Sequence, residues 1–263
     1  MTKSLPTATN SSQQSLIKVP QITVFFWITK VLTTGMGETF SDFLVHLSHP
    51  VIPVALAGIV LIVSLILQFS ARRYVAWIYW LCVVMISIVG TMVADILHHG
   101  LGIPYVASTV FFIILLAVIF SVWYFYEKTL SIHSIYTRRR EAFYWAAVMV
   151  TFSLGTAAGD MTATTMNLGY FSSGILFAVL IAIPALAYWL LGLNEIVAFW
   201  FAYIVTRPLG ASFSDWVAVS HIRGGLGLGT GPVSLVLTVI ILGLVGYLAI
   251  TRRDVKLSDD YTQ

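Results

Sequence analysis

Along the chain, apolar runs of roughly 20 residues alternate with short polar punctuation, at about 24–47, 51–69, 74–98, 104–126, 141–166, 170–192, 195–220 and 232–250. Runs of that length match the hydrocarbon thickness of a bilayer, so the pattern predicts eight transmembrane helices and no strands. The separators are turn-forming or charged: HLSHP, QFSARR, HHGLGIP, EKTLSIHSIYTRRRE, NLGYFSS, GLNE and HIRGGLGLGTG. Residues 1–17, rich in Ser, Thr, Gln and Asn, have no continuous apolar core for a signal peptide and read as a disordered tail.

The first, third, fifth and seventh runs align without a gap. Trp27, Trp80, Trp145 and Trp200 are each followed ten residues later by Gly37, Gly90, Gly155 and Gly210, and five residues further on by Asp42, Asp95, Asp160 and Asp215. This is internal repetition at a fixed spacing, with repeats at approximately 18–70, 71–127, 137–192 and 194–250 and a short tail from 251 to 263. Each repeat pairs one motif-bearing odd helix with one even helix almost free of charge. Unchanged orientation from copy to copy makes the repeats parallel, related by an axis along the membrane normal. The expected fold is therefore an all-α membrane protein with a pseudo-symmetric bundle, its odd helices around a central site and its even helices outside.

Each motif position has a physical reading. An indole favours the membrane interface, so the four Trp are expected to anchor the helix entries. Glycine near mid-membrane lets a neighbouring helix approach closely. The Asp lies about 140° around the helix from the Gly face, at a depth where a carboxylate needs a partner or a cavity.

Composition sharpens the picture. Of 263 residues, 59% are hydrophobic and only 10% charged, and the mean hydropathy is +0.92; that leaves too little polar surface for a soluble domain. The lone cysteine, Cys82, excludes a disulfide framework or a CxxC centre. The net charge of +3 is unevenly spread: eleven basic residues fall on one side of the helix map and only Arg223 in a loop on the other. By the positive-inside rule both termini are cytoplasmic, and no nucleic-acid partner is expected. The partners expected are the lipid bilayer, a metal cation and protons; the sequence leaves homo-oligomerisation open.

The repeat, beginning KVPQITVFFWITKVLTTGMGETFSD and followed by three degenerate copies, resembles the bacterial "repeat of unknown function" membrane proteins, often labelled uncharacterised membrane-anchored proteins. The resemblance covers the chain from Lys18 onward. It implies a bacterial membrane protein of four repeats, and hence an inner-membrane location, while the family's name carries no activity.

Function must then be read from the charged residues inside the spans. Glu38, Asp42, Asp95, Asp160 and Asp215 stand against Lys30 and Arg207, so two bases cannot neutralise five acids. Such residues ordinarily face a bundle interior and mark ion pathways or substrate sites; the plainer reading is helix capping and packing. Glu38, Asp42 and His46 follow an i, i+4, i+8 ladder, Asp95 and His99 repeat its i, i+4 step, and His221 ends the fourth odd helix, with His49 and His98 nearby. Imidazoles with carboxylates suit transition metals, whereas carboxylates and hydroxyls alone suit harder cations. Thr162, Thr164 and Thr165 are hydroxyl ligands or bond their own helix. Arg207 either pairs with Asp215 or acts as a tethered cation that fills the site when substrate is absent, and Pro208 is expected to kink its helix. GGLGLGTGP at 224–232 follows a transmembrane helix and lacks a following Lys, which discounts a phosphate loop.

The leading expectation is a secondary transporter or permease for a divalent transition-metal cation, coupled to protons because close carboxylates bind protons and metal competitively. No resident cofactor is expected, the metal being substrate or ligand, and export is the favoured direction. The alternatives are a membrane-embedded metal-dependent hydrolase using outer-face His and Asp, and a non-transporting sensor or scaffold.

Overall fold

The computed structural model describes residues 17–47 and 50–255. The tail reading for 1–17 therefore falls almost wholly outside the described residues, as does His49. Eight long helices make up the described chain: α1 (Val24–Leu47), α2 (Val51–Ser70), α3 (Ala76–Asp95), α4 (Tyr105–Glu127), α5 (Arg138–Asp160), α6 (Gly169–Leu191), α7 (Glu195–Ala218) and α8 (Thr230–Thr251). No strand occurs among the described residues. Seven of the helices are long and apolar enough to cross a membrane; the exception is α1, which carries Lys30, Glu38 and Asp42.

Local chemistry sets the helix ends. The Thr137 hydroxyl accepts from Arg140 N at the start of α5, and the Asn194 side chain accepts from Ile196 N and Val197 N at the start of α7. Gly192, with φ 65°, closes α6 in the left-handed conformation that glycine adopts without strain. Immediately after Asp95 and Asp160, α3 and α5 widen into π-helical turns, Ile96–Gly100 and Met161–Thr165, at the same register of two repeats. Helix α7 runs through Pro208 without interruption.

The odd helices form a closed ring, α1 against α3, α3 against α5, α5 against α7 and α7 against α1. The even helices form an outer layer, and each packs on the odd helix of the following repeat: α2 on α3, α4 on α5, α6 on α7, and α8 back on α1. Consecutive repeats are thereby interlocked, and the last helix closes the circle on the first. Burial follows this order, since α3 and α5 are mostly buried while α2, α4, α6 and α8 expose most of their apolar surface.

Glycines fix the ring spacing in a cyclic pattern. A methyl group at Gly37 would overlap Ser87, one at Gly90 would overlap Phe152, one at Gly155 would overlap Arg207, and one at Gly210 would overlap Thr34. Each glycine thus seats the residue that lies three positions before the glycine of the next helix, and the fourth seats the first. Without side chains at these points the helix backbones approach closely, as small residues permit in membranes.

The tryptophans depart from the sequence expectation. Trp80, Trp145 and Trp200 are 1%, 4% and 5% exposed and Trp27 is partly buried, so the indoles fill space between helices rather than anchoring them at a lipid interface. Trp80 packs on Phe26, Trp145 on Tyr79 and Trp200 on Trp123, and Trp200 Nε1 donates to Leu130 O in the α4–α5 connection. Burying so large a ring among others outweighs an interfacial position when the partner faces are aromatic.

Candidate functional site

The ring encloses a column of side chains that can be followed register by register. At the end where the basic loops gather, the residues before the four Trp converge: Phe26, Tyr79, Tyr144 and Phe199. The Tyr79 and Tyr144 hydroxyls lie 2.5 Å apart and the Phe26 and Phe199 rings 6.3 Å apart, so aromatic groups occlude this end. One turn further in stands Lys30, fully buried, its Nζ over the rings of Phe152 at 4.0 Å and Tyr203 at 4.2 Å and without a hydrogen-bond acceptor.

The next level holds the central network. The residues that follow the four glycines are Glu38, Thr91, Thr156 and Ala211, so three helices present a polar group at this register. Where the fourth copy has alanine, the Arg207 guanidinium, from one turn earlier on α7, supplies the missing group. Arg207 Nη2 donates to Glu38 Oε2 at 2.5 Å, to Thr156 Oγ1 at 2.8 Å and to Thr91 Oγ1, while Nη1 donates to Thr34 O at 2.9 Å. Thr91 and Thr156 also donate to Glu38 Oε2, each at 3.2 Å. Glu38 is 4% exposed and Arg207 fully buried. One acid, one base and two hydroxyls therefore tie all four odd helices together. A charge-assisted network of this kind is strong where water is excluded.

This corrects the expectation for Arg207: its carboxylate partner is Glu38, and Asp215 does not bond it. Asp215 instead lies 6% exposed with Oδ1 lacking a partner. Glu38, Asp160 and Asp215, from α1, α5 and α7, bring one carboxylate oxygen each within 4.8 Å of one another. Asp42 and Asp95 are partly buried at the equivalent register of α1 and α3, one turn beyond Glu38 on the side away from the aromatic end.

The histidines stand apart from this cluster. His46 is exposed and its Nδ1 bonds Asp42 O at 2.6 Å; His98 Nδ1 bonds Ile103 O at 2.8 Å and its ring stacks on Tyr105. His99 and His221 are exposed. Thr162 and Thr164 bond carbonyls of their own helix, at Gly159 and Asp160. The 224–229 loop folds back on the end of α7, with Leu226 N, Gly227 N and Gly229 N donating to Trp216, Val219 and Ala218 carbonyls. In that connection Arg223 Nη2 donates to the Tyr170 hydroxyl at 2.7 Å. Burial works against its charge, but Tyr170, Asp215 and Asp42 outweigh it and hold the guanidinium pKa above its ordinary value. An apolar cavity of about 670 Å³ lies outside the ring between α1, α6 and α7 and contains none of these carboxylates.

Thr91 and Thr156 are the site residues that motif reading overlooked. The signal was present: the position after the repeated glycine reads Glu, Thr, Thr, Ala, polar in three copies of four.

No curated protein and no solved structure matches the chain. A family model matches it four times, over residues 25–74, 78–129, 143–192 and 198–254, each match beginning in the first turns of an odd helix and ending just after the even helix that follows. The chain is a four-repeat member of the family described as Repeat of Unknown Function (DUF347).

Proposed function

We propose that this protein is a secondary transporter for a divalent cation, coupled to protons, in which Glu38, Asp160 and Asp215 form the binding site. The observation that carries this reading is the convergence of three carboxylates from three different helices inside the ring, their oxygens within 4.8 Å. A ring of parallel repeats about the membrane normal, with both termini cytoplasmic in a bacterial inner membrane, turns the carboxylate end outward. Ions then pass Asp42, Asp95 and the flanking His46, His99 and His221 on the outer side of the site, in whichever direction they move. The aromatic side chains close the cytoplasmic end, as one gate of an alternating-access cycle requires.

Donor chemistry narrows the cargo. With all-oxygen ligands and no imidazole in the cluster, hard or borderline ions are favoured, Mn²⁺ among the transition metals ahead of Zn²⁺ or Cu²⁺. Close carboxylates cannot all remain ionised in a dry interior, so protons and the metal compete for the same oxygens, which supplies the coupling. The separation of the histidines weighs against a three-ligand hydrolytic metal centre. One observation favours a scaffold reading instead: the Glu38–Arg207 network draws on all four odd helices and would fasten them without any ion.

The decisive experiment is flux into proteoliposomes carrying the purified protein, with Mn²⁺, Mg²⁺, Ca²⁺, Zn²⁺, Co²⁺ and Ni²⁺ offered in turn beside an internal pH dye. Metal entry with counter-moving protons is expected, lost in Asp160→Asn and Asp215→Asn. Absence of flux for every ion, with folded protein in the membrane, would turn the assignment to the scaffold.

A further inference from the structure

We propose that Arg207 is a tethered stand-in for the transported cation: in the ion-free state its guanidinium occupies the Glu38 side of the site, and an ion binds by taking its place. This rests on the reading of Glu38, Asp160 and Asp215 as a cation site.

Two facts about Glu38 make the occupants alternatives. Its Oε2 accepts from Arg207 Nη2 at 2.5 Å, and the same carboxylate is one of the three whose oxygens lie within 4.8 Å. A divalent ion needs carboxylate oxygens at about 2.0–2.6 Å. A dication on Glu38 and a guanidinium on the same carboxylate are like charges held close in a low dielectric, where their repulsion is strong. Arg207 is permanently charged at any working pH, so it leaves by moving and not by losing its proton.

The surroundings of Arg207 suit such an exchange. Its remaining acceptors are neutral: Thr34 O at 2.9 Å, Thr156 Oγ1 at 2.8 Å and Thr91 Oγ1. They come from α1, α5 and α3, so a guanidinium that withdraws from Glu38 keeps hydrogen bonds. Its Cβ and Cγ rest on Gly155, where no side chain obstructs them. Nε has no acceptor, and Cζ lies over the Phe152 ring at 5.5 Å. Opposite, Asp215 Oδ1 is buried without a partner, so the acids outnumber the groups that neutralise them. A purely structural bridge does not require those spare carboxylates beside it.

The consequence is thermodynamic. When an internal group blocks the binding-competent state, the apparent dissociation constant rises by the inverse of the competent fraction. Removing the guanidinium therefore tightens metal binding while impairing transport, because the empty site loses the charge that neutralises it as it crosses the membrane.

The test is equilibrium binding of Mn²⁺ to full-length protein in nanodiscs, with proteoliposome flux measured in parallel, for the wild type, Arg207→Gln and Arg207→Lys. Arg207→Gln should bind at least about tenfold tighter than wild type while its flux falls. Added methylguanidinium should then weaken that binding competitively. Should Arg207→Gln fail to fold, Arg207→Lys carries the same comparison, since an ammonium loses the bidentate fork and competes less well. Unchanged or weaker binding in a folded Arg207 variant, with wild-type binding intact, overturns the stand-in role and leaves the cation site standing. No Mn²⁺ binding by the wild type or either variant overturns the cation site itself.

Discussion

Arg207 and Glu38 illustrate how much one buried pair depends on both members. Replacing Glu38 by Gln removes the carboxylate that the guanidinium bonds directly, and breaking a buried pair from one side costs about 3–5 kcal/mol. The expected result is a large fall in melting temperature in detergent for Glu38→Gln, partly restored in the double variant Glu38→Gln, Arg207→Met. A double variant no more stable than the single would show that the two charges do not act as a pair. Thr91→Val and Thr156→Val each remove one hydroxyl from the guanidinium, and a hydrogen bond to a charged group is worth about 1.5–3 kcal/mol. Both should be destabilised measurably while the fold is retained. At this scale the sequence exposed the charged residues, since any acid or base in an apolar run stands out. Their partners were not legible, because Arg207 sits 169 residues from Glu38 and meets it only when α7 closes against α1.

Among the elements, the odd helices carry the tight contacts and the even helices carry the bilayer face. Glycine substitutions separate the two roles. At Gly210 an added methyl would meet Val31 O at 2.8 Å, backbone that cannot yield, and would also overlap Thr34. Gly210→Ala is therefore expected to force α1 and α7 apart, lowering stability by at least about 1–3 kcal/mol, the cost of overpacking. Gly58 on α2 and Gly243 on α8 have open space at the same point. Gly58→Ala and Gly243→Ala should be neutral or stabilising by roughly 0.5–1 kcal/mol, because alanine is the better helix former. Thermal unfolding of the three variants checks this, and equal effects would refute the assignment of Gly210 to a tight crossing. The repeat spacing made these glycines conspicuous, but the identity of the residue seated on each followed only from which helices become neighbours.

For the whole molecule, the segments just before α1 and just after α8 close the same circle as the helices. At the basic end Lys18 Nζ bonds Glu141 Oε2 at 2.7 Å, Gln68 Nε2 bonds Glu141 Oε1 at 2.9 Å, Gln21 N donates to Asp254 O at 2.8 Å, and the Tyr74 hydroxyl donates to the Asp254 carboxylate. Segments before α1, between α2 and α3, at the start of α5 and after α8 are thus clasped together. Burial raises the Asp254 pKa above the ordinary carboxylate value. A group whose folded pKa is raised binds its proton more readily in the folded state, so stability is lost as pH rises from the unfolded carboxylate pKa through the folded one. The clasp should therefore be tighter under mildly acidic conditions. Asp254→Asn should flatten that dependence, read as melting temperature against pH; an unaltered slope would assign it to other groups.

The sequence by itself determined the eight helices, the four-fold repetition and the register of Trp, Gly and Asp, because a bilayer imposes length and hydropathy on each span and a repeat keeps its spacing whatever surrounds it. Tertiary structure alone decided that each even helix packs on the following repeat, that three of the four repeat indoles are buried, and that Arg207 chooses Glu38 over Asp215. Those outcomes depend on which faces meet across the ring, and the pairing of distant faces is set by the closure of the whole circle.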